Sequence, residues 1–387
     1  VSGERATLWG WGALPLVLLA AAALLLARTD LLDFLRRGAP PVEELTFDRV
    51  ELEPHVVRVD VVNGGPDPVT VAQVMVDEAF WAFTIEPGPT IERLGRATIT
   101  LPYPWVQHEA HEITLLTSTG LTFAHEIAVA TATPRPDAGF FGVFALIGLY
   151  VGVIPVAIGL LWYPLLRRVR RHWIDFALAV TIGLLVFLGV DTLAEALETA
   201  SGLAGAFQGA LLVTVAALGT VLGLQMVAGS RVAASGPGSR MAVAVMVALG
   251  IGLHNLGEGL AIGAAYALGE ASLGAFLVIG FMLHNTTEGL GIVAPIARDA
   301  PRLRALAGLG MLAGVPTIVG AWLGGLAYSP LFATLFLSLG AGAIAQVVLV
   351  LVRAVRAEGP ATALSPLNAA GMLAGLLVMY GTGLLVA

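Results

Sequence analysis

Cysteine is absent from this chain. Disulfide frameworks, thiolate metal sites and cysteine nucleophiles are therefore excluded. Lysine is missing too. All twenty basic residues are arginine, which reads as composition bias without functional content. Charge is scarce: 12% of the 387 residues are charged, against about 25% in an ordinary soluble domain. Hydrophobic residues make up 57%, so most of the chain is not solvated by water. No basic face or aromatic stacking platform occurs, and nothing points to nucleic acid.

The charge is also unevenly placed. Residues 1–137 hold 18 acids and 9 arginines, giving −9, and residues 138–387 hold 9 acids and 11 arginines, giving +2. This shift separates an acidic part from a nearly neutral one. Within the acidic part, residues 11–27 (WGALPLVLLAAAALLLA) are an apolar run of signal-anchor length. Its flank carries only Arg5 beside Glu4, and no clear small-x-small cleavage site follows. An uncleaved anchor over 1–30 is preferred to a signal peptide. A linker over 31–44 precedes a segment, 45–134, of different character. Val57, Val59 and Val61 alternate with Arg58 and Asp60, the period of a half-buried strand. NGGPDP at 63–68, EPGP at 86–89 and Ser118-Thr119-Gly120 are turn chemistry. Short strands with such punctuation predict a small all-β sandwich.

From residue 139 the chain is almost unbroken apolar helix. Eight spans are predicted, near 140–161, 175–197, 203–228, 241–266, 271–296, 303–327, 330–352 and 368–387. The fold class is thus an all-α polytopic membrane bundle over 139–387, with an anchor helix and a β sandwich before it. Arginines orient it. Arg167, Arg168, Arg170 and Arg171 follow span one; Arg231 and Arg240 follow span three. Arg298, Arg302 and Arg304 follow span five, and Arg353 and Arg356 follow span seven. The loops after spans two, four and six hold none. By the positive-inside rule the arginine side is cytoplasmic, which puts the sandwich and the C-terminus outside. Arg28, Arg36 and Arg37 disagree, but the eleven others are spread over four independent loops.

Two six-residue patterns carry the chemistry. His254 opens HNLGEG and His284 opens HNTTEG, so both read His-Asn-x-x-Glu-Gly, 30 residues apart. Positions i and i+4 share a helix face, which aligns His254 with Glu258 and His284 with Glu288. Asn255 and Asn285 lie about 100° round, still able to line one cavity. Both motifs fall near the centres of their spans. A charged side chain at that depth costs about 2.5–3.5 kcal/mol on the insertion scale. A divalent cation would compensate two such glutamates. Imidazole with carboxylate suits zinc, iron, manganese, cobalt or nickel, and fits magnesium or calcium poorly. The plainer alternative is a pair of interhelical hydrogen bonds with protonated glutamates, which a duplicated pattern at matching depth does not favour.

These paired motifs, the span count and the outside C-terminus resemble the ZIP (Zrt-, Irt-like) family of metal transporters. The likeness covers 139–387 and is greatest for the prokaryotic branch, whose two motifs read His-Asn-x-Pro-Glu-Gly. The resemblance implies a metal site shared by spans four and five, with His254, Glu258, His284 and Glu288 as primary ligands and Asn255 and Asn285 beside them. It further implies import of a divalent metal (zinc foremost; iron, manganese, cobalt, nickel or cadmium as alternatives) across a prokaryotic cytoplasmic membrane, by a homodimer working through alternating access. The metal would be cargo, with no cofactor and no enzyme activity. In VFLGVDTLAEALE, Asp191 and Glu195 fall where the family places polar entrance residues; an ordinary wet helix end is the equal alternative. Three departures stand out. Gly257 and Thr287 replace the motif prolines, and Val315 precedes Pro316 where a bridging glutamate is common, which favours one metal over two. The loop GSRVAASGPGSR at 229–240 lacks histidines.

In the sandwich, His108-Glu109-Ala110-His111-Glu112 and His125-Glu126 suggest metal capture, but a structural or partner-binding domain is preferred. Two other functions compete with transport: an intramembrane metallohydrolase, and a partner-binding receptor with a degenerate bundle. The near-identity of the motifs looks more like an ion cage than a polarised catalytic site.

Overall fold

The computed structural model describes residues 14–25, 41–133, 135–233, 237–267, 271–327, 329–356 and 365–384. Most of the predicted linker, with Arg28, Arg36 and Arg37, lies outside the described residues, as do Gly269 and Glu270 between spans four and five. The chain forms two compact units, Val1–Val42 and Glu43–Ala387. In the first, α1 (Leu14–Leu25) is apolar and helical.

The second unit begins with an antiparallel β sandwich. One sheet has the order β1 (Leu45–Glu53), β2 (Val56–Asn63), β7 (Arg96–Leu101), β5 (Thr84–Glu86). The other runs β4 (Ala79–Trp81), β3 (Val69–Val76), β8 (His111–Thr117), β9 (Thr122–Ile127), with β6 (Thr90–Ile91) on β3. The alternation read from β2 holds: Val57, Val59 and Val61 are buried while Arg58 is exposed. Ile99 and Leu101 of β7 and Ile113 and Leu115 of β8 close the core from the two sheets. All three predicted turns fall between strands. Buried Asn63 organises the first, donating to the carbonyls of Asp67 and Ile91 and accepting from Gly65 N–H.

A polar knot ties β3 to β8. Asp77, just past β3, sits 2.8 Å from His111 Nδ1, accepts from Tyr103 Oη at 2.8 Å and from Glu112 N–H at 2.9 Å. Burial raises the Asp77 carboxyl, but the hydrogen bonds from His111, Glu112 and Tyr103 outweigh it and hold it below its ordinary 3.8. Burial and the Asp77 charge together push Tyr103 up to about 12. A carboxylate depressed in the folded state stabilises above its unfolded value and loses that contribution as pH falls through its folded value. The β3–β8 pair is therefore expected to lose hydrogen-exchange protection below pH 3.8, and Asp77→Asn to lose it already at neutral pH.

Seven helices among the described residues are long and apolar enough to cross a membrane, and the protein is an integral multi-pass membrane protein. They are α2 (Ala138–Leu166), α3 (Arg171–Ser201), α4 (Gly209–Ala233), α5 (Pro237–Ala267), α6 (Ala271–Val293), α7 (Leu303–Ala327) and α8 (Pro330–Arg356). The last helix, α9 (Pro366–Leu384), packs on α3, where Gly183 and Gly375 bring the two backbones together.

Lipid tails are as apolar as leucine, so helices in a membrane associate through close backbone packing at small residues. The α5–α7 seam follows that rule. A Cβ at Gly320 or Gly324 of α7 would collide with the carbonyls of Leu256 or Leu260; one at Gly259 or Gly263 of α5 would strike those of Thr317 or Ala321. Gly159 of α2 and Gly289 of α6 meet in the same way. These contacts fix α5 and α6, the motif helices, against α7 and α2.

The sandwich rests on two connections of the bundle. Glu44 accepts from Gly205 N–H at 2.6 Å in the α3–α4 connection, and Gly64 has room beside Ala204 only because it lacks a Cβ. Arg49 donates to the Leu326 carbonyl at 3.0 Å, and Ser329 donates to Asp48 at 3.1 Å, both at the α7–α8 connection. These two loops are among the three that hold no arginine.

Candidate metal centre

Three ligand-bearing side chains converge where α5 meets α6. His254 Nε2 lies 3.0 Å from Glu258 Oε1, as the i, i+4 spacing predicts. His284 turns across the helix pair to the same oxygen, its Nε2 at 2.5 Å, rather than along its own helix to Glu288. The two imidazole rings are 6.3 Å apart, centre to centre. Ligand atoms of His254, Glu258 and His284 all lie within 4.8 Å of one another, and all three residues are buried. Two imidazoles and a carboxylate at this spacing form a donor set that a first-row divalent ion can occupy.

Glu288 stands apart from this trio. It is 3% exposed, and its carboxylate lies beside the Asn255 side chain without a well-formed hydrogen bond. It is also near enough to Glu258 for their charges to repel. A buried carboxylate without donors is costly when ionised unless a cation offsets it. The site thus pairs a satisfied trio with a fourth buried carboxylate whose polar neighbour is Asn255.

The two asparagines brace the site from outside it. Asn285 Nδ2 donates to Glu258 Oε2 at 2.9 Å and to the Val151 carbonyl of α2 at 3.0 Å. Asn255 Nδ2 donates to the Ala313 carbonyl of α7 at 3.1 Å. Both acceptors sit one turn before a proline. Pro155 has no N–H to give the Val151 carbonyl four residues earlier, and the helix runs through a π turn at Leu149–Val153. The freed carbonyl is the one Asn285 takes. In α7, Ala313 lies three residues before Pro316, inside the helix. The remaining Oδ1 atoms of both asparagines are buried without partners, as is Thr317 Oγ1 of α7.

No family model and no curated protein matches the chain.

Asp191 and Glu195 are exposed on α3 and line a narrow cavity together with His254, Gly257 and Glu258. Phe281 of α6 and Phe336 and Gly340 of α8 complete its walls. Its volume is about 20 Å³, where roughly 10–15 Å³ suffices for one water. Gly257 meets nothing closer than the Phe336 carbonyl at 3.8 Å from where its Cβ would be.

The histidines of the sandwich are not brought together. His108 occupies a turn with φ of 68°, and His111 begins β8 with Nδ1 on Asp77 and Nε2 accepting from Val106 N–H. His125 stacks on Phe47 at 5.1 Å, where burial lowers its pKa. Among the described residues, the group with metal-binding spacing is the one on α5 and α6.

The carbonyl partners of the asparagines are not apparent from the sequence pattern. A signal was present in Pro155, whose lack of an N–H frees the carbonyl of Val151. Nothing in the sequence alone says which side chain from another helix will claim it.

Proposed function

We propose that this chain carries divalent transition-metal ions through its helix bundle, one ion at a time, using His254, Glu258, His284 and Glu288 as ligands. The observation that supports this most is the buried His-Glu-His trio with a second buried carboxylate, Glu288, beside it. An ion there would be bound by Nε2 of both histidines and by a carboxylate oxygen. It would also neutralise the Glu258–Glu288 repulsion. The narrow cavity to Asp191 and Glu195 gives a route to the site that is acidic at its mouth. The resemblance to ZIP transporters supports the same reading.

In this account α9 is the eighth span. The sandwich faces outside and the eleven bundle arginines face the cytoplasm of a prokaryotic cell. Transport runs inward by alternating access in a homodimer, as the resemblance implies. Zinc leads the candidate ions, since its usual 2.0–2.2 Å bonds to nitrogen and oxygen suit this donor set. Val315 offers no second bridging carboxylate, which leaves one principal ion. The sandwich serves docking of a protein partner or metal delivery.

Uptake tests the proposal. Purified protein in sealed liposomes containing a zinc-sensitive dye should admit zinc at a rate well above empty liposomes. Rates equal to those of empty liposomes for zinc, iron, manganese, cobalt, nickel and cadmium would reject it. Protonation competes with the metal for both imidazoles, so binding releases protons. Zinc affinity in detergent is expected to rise between pH 5 and pH 8, in the range where histidine titrates. A flat profile would remove the histidines from the ligand set.

A further inference from the structure

A second cavity lies away from the metal centre, and nothing in the transport reading uses it. It is an apolar groove of about 460 Å³ between the end of α2, the start of α3 and the middle of α6. That volume falls among the roughly 300–1,000 Å³ pockets that enclose small organic ligands. Trp162, Val169, Trp173, Phe176, Val180 and Leu290 line it. Thr286 and Thr287 complete the wall, but their hydroxyls donate to the carbonyls of Met282 and His284 on their own helix. Neither asks for a partner from the groove.

The rim differs from the walls. Arg167, Arg168 and Arg170 are exposed in the α2–α3 connection, directly before and after the groove residue Val169. Trp162 and Trp173, each 49% exposed, bracket the same connection. Tryptophan beside arginine marks the headgroup level of a bilayer. A basic rim over an apolar slot between spanning helices is the chemistry that recognises an anionic lipid headgroup with its chains below.

We infer that this groove holds one anionic phospholipid, an acyl chain lying between α2, α3 and α6 and its phosphodiester meeting Arg168 and Arg170. The inference rests on the membrane-spanning reading of the helices and not on the metal reading. The seated chain would lie against Thr286 and Thr287, between the ligand positions His284 and Glu288 of the same helix. Lipid occupancy would therefore bear on the segment that holds half the metal site.

The test uses the full chain, purified in detergent and stripped of lipid. Dioleoyl phosphatidylglycerol or dioleoyl phosphatidylcholine is added back, and bound lipid is counted by native mass spectrometry. One phosphatidylglycerol should be retained per chain and should raise the melting temperature saturably; phosphatidylcholine with identical chains should do neither. Each of Arg168→Gln and Arg170→Gln should weaken retention on the order of fivefold. Val180→Trp and, separately, Ala177→Phe fill the groove and should abolish it. The arginine variants are surface changes that carry the test even if the filling variants fold poorly. Equal retention of both lipids would mean an unselective lipid coat and would overturn the inference. Undiminished retention in the double arginine variant, or in a folded Val180→Trp protein, would also overturn it. A lipid-free dimer that Val180→Trp turns monomeric would assign the groove to a second copy of the chain instead.

Discussion

Glu258→Ala is expected to abolish metal uptake and to weaken zinc binding by more than about 100-fold. Losing a residue that only supports a ligand commonly costs 10–100-fold, and Glu258 is the oxygen on which both histidines converge. Its second oxygen also holds Asn285. The variant leaves two imidazoles and an amide in a buried space without their shared acceptor, so Glu258→Gln is the gentler companion and should lose uptake as well. Glu288→Gln should behave differently in one respect. It too should lose uptake, yet the metal-free protein should melt at a higher temperature, because a buried carboxylate close to Glu258 has been replaced by a neutral group. Isothermal titration with zinc and thermal unfolding in detergent read both effects. A Glu288→Gln protein less stable than its parent would mean that the contact with Asn255 outweighs the cost of burying the carboxylate.

Gly320→Val together with Gly324→Val is expected to prevent folding altogether. Each new side chain would meet a carbonyl oxygen of α5, at Leu256 and at Leu260, where even a methyl group collides with backbone. Overpacking a close contact typically costs 1–3 kcal/mol per site, and here the obstacle is backbone that cannot rotate away. Two sites on one seam would cost about 2–6 kcal/mol before that obstacle is added, which reaches the lower end of a domain's roughly 5–15 kcal/mol. The same seam orients α5, so a variant that did fold would be expected to misplace His254 and Glu258. Gly219→Ala and Gly223→Ala on α4 are the controls, since nothing lies within 4 Å of a Cβ at either position. They should express and migrate as the parent protein does. Fluorescence-detected size exclusion of tagged protein distinguishes the outcomes, and a monodisperse double valine variant would show that the α5–α7 backbones can separate.

The architecture was legible wherever one strong periodicity decided it. Long apolar runs in a chain with few charges are held in a membrane as helices, and their ends moved by only a few residues, as at α3, which begins at Arg171 rather than 175. The β2 alternation was equally direct, because strand geometry sends Val57, Val59 and Val61 to one face. At the site, the i, i+4 rule found His254 with Glu258. It paired His284 with Glu288, whereas the folded chain sends His284 across to Glu258. The reason is that sequence spacing fixes only which face of α6 a residue occupies. Which partner it takes depends on how closely α5 and α6 approach. The long-range links of the sandwich were out of reach for the same reason. Arg49 and Leu326 are 277 residues apart, and no local pattern relates them. The composition shift near residue 138 marks where the β region ends, and Glu44, Asp48 and Arg49 nonetheless tie it to the bundle's arginine-free loops.

Locating the ion itself tests the central claim most directly. Diffraction from the zinc-loaded protein, collected on both sides of the zinc absorption edge, gives the metal position without reference to any function assay. The account predicts one strong anomalous peak between α5 and α6, within about 2.0–2.2 Å of Nε2 of His254 and His284 and of carboxylate oxygens from Glu258 and Glu288. Absence of a peak there, or a peak only at the sandwich histidines, would contradict it.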